Sequence, residues 1–115
     1  MSAAYRVHSR LGPGLLERPY KLCLCHELTK MHLTYETERQ LSVTYDGIDI
    51  GLGYRVDLLV ENEVIVEIKS VETILPVHEA QLLSYLRLSG KRVGLLLNFN
   101  VAHLKNGIRR KINGC

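Results

Sequence analysis

Cysteine is scarce in this chain and oddly numbered, with only Cys23, Cys25 and Cys115. An odd count without framework spacing argues against a secreted disulfide scaffold. Cys23 and Cys25 precede His26. Residues two apart on a helix point to different sides, so this is a poor zinc site. Cys23 reads as a small core residue, and no chemistry falls to any of the three. No apolar run is long enough to cross a bilayer. Arg6 and Arg10 are followed by no apolar segment of the kind a signal peptide needs, so a reducing cytoplasmic setting is the default expectation. The glycines Gly12, Gly14, Gly51 and Gly53 lack the spacing of a P-loop or a dinucleotide fingerprint. No order of Ser, His and Asp suggests a catalytic triad, and no repeat or low-complexity segment occurs.

What remains is the composition of an ordinary globule, 46% hydrophobic and 23% charged. At 115 residues the chain is read as one domain, 1–115, able to bury a single core. The formal net charge of +3 is compatible with a polyanionic partner. Lys105, Arg109, Arg110 and Lys111 crowd the end of the chain. They read as a solvated tail, with phosphate contact as the other option.

Hydrophobic spacing places a helix over 3–11 with Ser2 as N-cap and a buried stripe of Ala4, Val7 and Leu11. Gly12-Pro13-Gly14 breaks it. A second helix is expected from about Leu15 to Met31, its apolar side formed by Leu15, Leu16, Leu22, Cys23 and Leu28. Pro19 sits early, where a missing N–H is tolerated. From Leu33 the pattern changes to strand, and Asp46-Gly47 is a strong hairpin signal. The return strand, Ile48 to Val60, contains Gly51 and Gly53, which mark a bulge or a close backbone approach. A third strand runs from Val64 to Val71.

Pro76 opens another helix that ends near Leu88 or Ser89, with Gly90 as its stop. Val77, Ala80, Leu83 and Leu86 can face the sheet, and His78, Gln81, Tyr85 and Leu88 form an adjacent stripe. Val93 to Phe99 is almost wholly apolar, as in a strand covered on both faces. The order α, β-β-β, α, β implies a mixed sheet flanked by helices, with a parallel pair across the last helix.

The segment Asp57 to Lys69 carries the chemistry. Two runs rich in β-branched residues flank Glu61-Asn62-Glu63. A hairpin centred on Asn62 sets Asp57 opposite Glu67, with Lys69 on the face of Glu67. Like charges directly opposed in a sheet are destabilising. A divalent cation with oxygen ligands would neutralise them. A structural salt bridge to Lys69, or a register one residue off, would account for the same residues without a site.

Gly53-Tyr54-Arg55-Val56-Asp57, Glu67-Ile68-Lys69 and Gln81-Leu82-Leu83-Ser84-Tyr85 resemble the core of PD-(D/E)XK nucleases, particularly the RecB-like branch. Gly14-Leu15-Leu16-Glu17-Arg18-Pro19-Tyr20 resembles the pattern that names the GxxExxY protein family. The resemblance covers nearly the whole chain, and its motifs are specific as an ordered set. It implies a restriction-endonuclease-like αβββαβ core with a mixed four-stranded sheet and a Mg²⁺-dependent (or Mn²⁺-dependent) nuclease acting on DNA or RNA.

The resemblance also implies site roles. Asp57, Glu67 and the Ile68 carbonyl would hold the metal, with Glu17 touching it directly or through water. Read without the resemblance, Glu17 is an ordinary first-turn acid. Lys69 would orient or deprotonate the attacking water or meet the phosphate, and charge balance is its plainer role. Gln81 would position Lys69 or a phosphate, and Tyr85 would brace that face unless the stripe is half exposed. Arg55 and His78 border the site; Arg55 is assigned to substrate, and His78 stays outside the catalytic set. The rival expectation is a nucleic-acid-binding or protein-interaction module that keeps the fold without catalysis. A homodimer is one way for so small a domain to embrace a duplex.

Overall fold

Two turns organise the sheet, and both form where the sequence places them. Asp46 and Gly47 take positive φ of 52° and 74°. That is the backbone a two-residue hairpin needs to match strand twist. They join β1 (Tyr35–Tyr45) to β2 (Ile48–Val60). Glu61 and Asn62 repeat the device at 53° and 55° and lead into β3 (Val64–Lys69). The computed structural model describes residues 1–114; Cys115 and its reading lie outside them.

Around the second turn Leu58 faces Val66, Leu59 faces Ile65 and Val60 faces Val64. This is the register expected for a turn centred on Asn62. Gly51 is the bulged residue, with φ 76° beside a register shift between Ser42 and Thr44. Gly53 is the close approach: a Cβ there would stand 2.7 Å from the Leu41 carbonyl oxygen. Each of the two glycines serves one of the purposes proposed for them.

The helix α3 (Pro76–Ser89) begins at its proline and stops at Gly90, which is left-handed at φ 73°. It returns the chain to β4 (Val93–Asn98), which lies parallel to β3. The four expected strands are joined by a fifth, β5 (Ile108–Ile112), after a 3₁₀ turn over Leu104–Gly107. The sheet order is β1-β2-β3-β4-β5. The basic cluster is therefore largely an edge strand rather than a tail. Lys111 pairs with Glu79 of α3 at 2.7 Å.

Helices α1 (Ser2–Leu11) and α2 (Glu17–Lys30) cover one face of the sheet, and α3 covers the other. Ala3, Ala4, Val7, Tyr20, Leu24, Cys25 and Leu28 pack over Leu58, Val66, Ile68 and Leu97. Leu82, Tyr85 and Leu86 pack over Val56, Leu59, Ile65 and Leu96. Burial of these side chains from both faces supplies the main driving force for folding.

Several expected core positions change. α2 starts at Glu17 rather than Leu15, so Leu15 and Leu16 precede it, and they and Leu22 are exposed, whereas Tyr20, Leu24 and Cys25 are buried. Tyr20 fixes this rotation of the helix. Its ring stacks on Phe99 at 4.6 Å between centroids, while its hydroxyl donates to the Gly12 carbonyl. Cys23 is only partly buried against the core. In α1, Leu11 is exposed, and Ser2 is the first helical residue rather than the cap. In α3, Val77 and Ala80 face outward and Leu82 and Tyr85 face in. β3 ends at Lys69, not Val71. The buried Asn98 side chain holds the chain just beyond Lys69, accepting from Val71 N at 3.1 Å and donating to Val71 O at 2.9 Å. Among the described residues, no helix is long and apolar enough to cross a membrane.

Candidate functional site

β2 and β3 stop pairing after Leu58 and Val66, and the acids stand at that opening. The Asp57 N–H donates to Glu67 Oε2 at 2.9 Å. The Ile68 N–H donates to Asp57 Oδ2 at 2.8 Å. Side chains have thus replaced the ladder bonds that the strands would otherwise exchange. The Asp57 charge acts on the Glu67 carboxyl across this opening.

Groups along a strand alternate in direction. The Lys69 carbonyl accepts from Phe99 N on the β4 side, so the neighbouring Ile68 carbonyl turns toward the opening. Asp57, Glu67 and Ile68, all named from the sequence, come together here.

Glu67 is only 8% exposed. Burial first, then the neighbouring charge of Asp57, pushes its carboxyl up from 4.5 to about 8. The backbone N–H of Asp57 and the more distant Lys69 charge oppose that rise. Among the described residues no direct ion pair joins Lys69 to either acid. The salt-bridge account of this cluster therefore does not describe the arrangement.

Glu17 opens α2 and lines a cleft of about 140 Å³ together with Arg18, Lys21, Glu38, Asp57 and Ile68. Tyr20 fixes the approach to it, because its hydroxyl also accepts from Leu15 N at 3.1 Å. Among the described residues no group of three His, Cys, Asp or Glu side chains gathers closely enough to hold a metal. Glu17 thus shares a cleft with Asp57 without gathering with the acid pair.

On the α3 face, Tyr85 is buried beside the acids. Burial, then the charges of Glu67, Tyr54 and Asp57, raises its phenol above the ordinary tyrosine value. Its ring meets that of Tyr54 at 5.3 Å. Gln81 lies one turn earlier and is exposed, so it is not the buried glutamine in need of a partner. Arg55 is also exposed, 4.0 Å from Glu38. His78 closes the start of α3, its Nδ1 accepting from Leu75 N at 3.0 Å, which gives it a structural task.

Glu38, Lys21 and Arg18 receive no role at the site from the sequence alone. Glu38 is bound to Lys21 as well as to Arg55, and both contacts hold its carboxyl below the usual range. The one available signal was Glu36-Thr37-Glu38-Arg39-Gln40, a polar run that breaks the apolar alternation expected of a half-buried strand.

The donor set fits a hard divalent cation. Two carboxylates and a carbonyl offer only oxygen, and the acids face each other with no internal cation in direct contact. A buried carboxyl raised by a neighbouring acid, as Glu67 is, is characteristic of functional sites.

Comparison with curated proteins gives no match, and comparison with solved structures gives none either. Comparison with protein families matches residues 1–111 to the PD-(D/E)XK nuclease superfamily. With nearly the whole chain matched and paired acids standing where two strands part, this chain belongs to the PD-(D/E)XK nuclease superfamily.

Proposed function

We propose that the chain is a divalent-cation-dependent nuclease that hydrolyses phosphodiester bonds of DNA, with RNA as the other substrate. The supporting observation is that the Asp57 and Glu67 carboxyls each accept a backbone N–H at the opening between β2 and β3, with no direct ion pair among the described residues to balance them. Asp57, Glu67 and the Ile68 carbonyl would hold Mg²⁺ or Mn²⁺, and Glu17 would act across the cleft through water. When bound, the cation supplies charge neutralisation at the phosphate and a more acidic water.

The chain's own groups do the rest. Lys69, near the acids but not locked to them, is free to orient the attacking water or meet a phosphate oxygen. Gln81, Tyr85 and Arg55 line the approaches on either side and contact substrate. Tyr20, by clamping the loop before Glu17, gives the Gly14-to-Tyr20 pattern a physical purpose. This favours grouping the chain with the GxxExxY family.

Asp57→Asn tests the proposal, since it keeps the size and one acceptor of the side chain but removes its charge. Cleavage of mixed DNA and RNA substrates with Mg²⁺ or Mn²⁺ is expected to fall on the order of 10³-fold, while the thermal transition stays cooperative. Nucleic-acid binding without metal-dependent cleavage by the unaltered protein would instead favour a non-catalytic binding module.

A further inference from the structure

We propose that Glu38 is a positioning residue for Asp57, acting through its backbone rather than its carboxylate. The proposal rests on the reading of Asp57 as a metal ligand. Glu38 has φ 53° in the middle of β1, a left-handed conformation that a strand residue other than glycine rarely adopts. Thr37 pairs with Leu58 and Arg39 pairs with Val56, but the intervening Glu38 and Asp57 do not pair. Asp57 is therefore released from the ladder on the β1 side, just as it is on the β3 side.

The consequence is visible in the cores. A regular strand keeps residues two apart on one face. Val56 nevertheless packs under α3, while Leu58 packs under α1 and α2. Across the hairpin, Tyr35 packs on the α1–α2 face and Leu41 on the α3 face. Both strands thus exchange faces at the Glu38–Asp57 step without losing their mutual register. An extended Glu38 would close the pair and carry the alternation through Asp57. The kink instead lets the Asp57 side chain lie within the sheet, where it reaches Ile68 N, and lets the Asp57 N–H reach Glu67.

The Glu38 carboxylate has its own partners, Lys21 and Arg55. Its pair with Arg55 is substantially exposed, and exposed pairs contribute little. Backbone strain of this kind persists where surrounding structure holds it, and it concentrates at working sites.

Three variants of the full chain separate backbone from charge. Glu38→Gly accepts the left-handed conformation freely, Glu38→Gln removes only charge, and Glu38→Val resists positive φ. Mn²⁺ affinity is read by calorimetry, and the amide resonances of Asp57 and Ile68 by NMR. The Gly and Gln variants are expected to bind Mn²⁺ within about twofold of the unaltered chain, with both amides unmoved. The Val variant should bind at least about tenfold more weakly and shift both amides. If the Val variant does not fold, Glu38→Ala gives a milder form of the same effect, with both amides shifted and affinity lowered about threefold.

A Val or Ala variant that matches the unaltered chain in both readings overturns the proposal. So do Gly and Gln variants that weaken binding as much as Val, because the carboxylate would then be the acting group. If the unaltered chain binds no Mn²⁺, the metal reading fails. The amide comparison still decides the role of Glu38.

Discussion

Two glutamates are nearly buried, and the chain treats them in opposite ways. Glu27, in α2, is 6% exposed and lies 3.7 Å from Arg6 and 3.5 Å from Lys30. Glu67, in β3, is 8% exposed and has another acid for its nearest charged neighbour. Burying a carboxylate without a counter-charge is costly. At Glu27 the cost is met by internal cations. At Glu67 it is left open at the end of a sheet, where a cation from solution would meet it. A paired acid maintains the fold, whereas an opposed pair stores a preference for a ligand.

The sharpest way to break this contrast is pH. The folded carboxyl of Glu67 is raised from 4.5 to about 8. Below the lower value both folded and unfolded chains carry the proton, and no stability is lost. Between the two values the unfolded chain gives up its proton while the folded chain keeps it. Stability therefore falls as pH rises through this window. The full shift corresponds to a loss on the order of a few kcal/mol. Urea midpoints of the metal-free protein should thus drop from pH 5 to pH 9. Glu67→Gln, which stays neutral, should flatten that slope and stabilise the chain at the alkaline end. An unchanged slope in the variant would show that Glu67 is not the group responsible.

The same opposition makes metal binding a proton-linked event. A carboxyl that is mostly protonated near neutrality must ionise to become a ligand. Mg²⁺ or Mn²⁺ binding at pH 7 should release about one proton. Calorimetric titrations in two buffers of different ionisation enthalpy measure that number directly. Release close to zero would mean that Glu67 is already ionised, and its likeness to Glu27 would then exceed the difference.

The opposed pair is legible in the sequence because its causes are local. A polar turn at Glu61-Asn62-Glu63 between apolar runs fixes the register, and the register brings Asp57 to Glu67. The glycines and prolines likewise mark their turns and helix ends. Glu27 stays hidden because its partners lie on another helix or a turn away, and α2 has no clean apolar stripe to show which way it faces. The stacking of Tyr20 on Phe99 joins residues far apart in the chain, and it rotates α2 so that Leu22 points outward. β5 is masked by charge, since Ile108 and Ile112 enclose only Arg109, Arg110 and Lys111. Glu38 escapes notice for a third reason. A positive φ at a glutamate leaves no signature in residue type.

The smallest expected effect belongs to the paired acid and serves as the control. Glu27→Gln keeps the side chain's size and removes its charge. It loses the two ion pairs, but Arg6 and Lys30 are 56% and 44% exposed, so water replaces much of what Glu27 gave them. The destabilisation at pH 8–9 should be about 1 kcal/mol or less. Proton release on Mg²⁺ binding should not change, because Glu27 has no place at the opening between β2 and β3. The same chemical replacement at two equally buried glutamates should therefore act with opposite sign, slightly destabilising at Glu27 and stabilising at Glu67 under alkaline conditions. Urea midpoints for both variants at that pH decide it. If both replacements move stability in the same direction, the neighbouring charges are not what distinguishes the two sites.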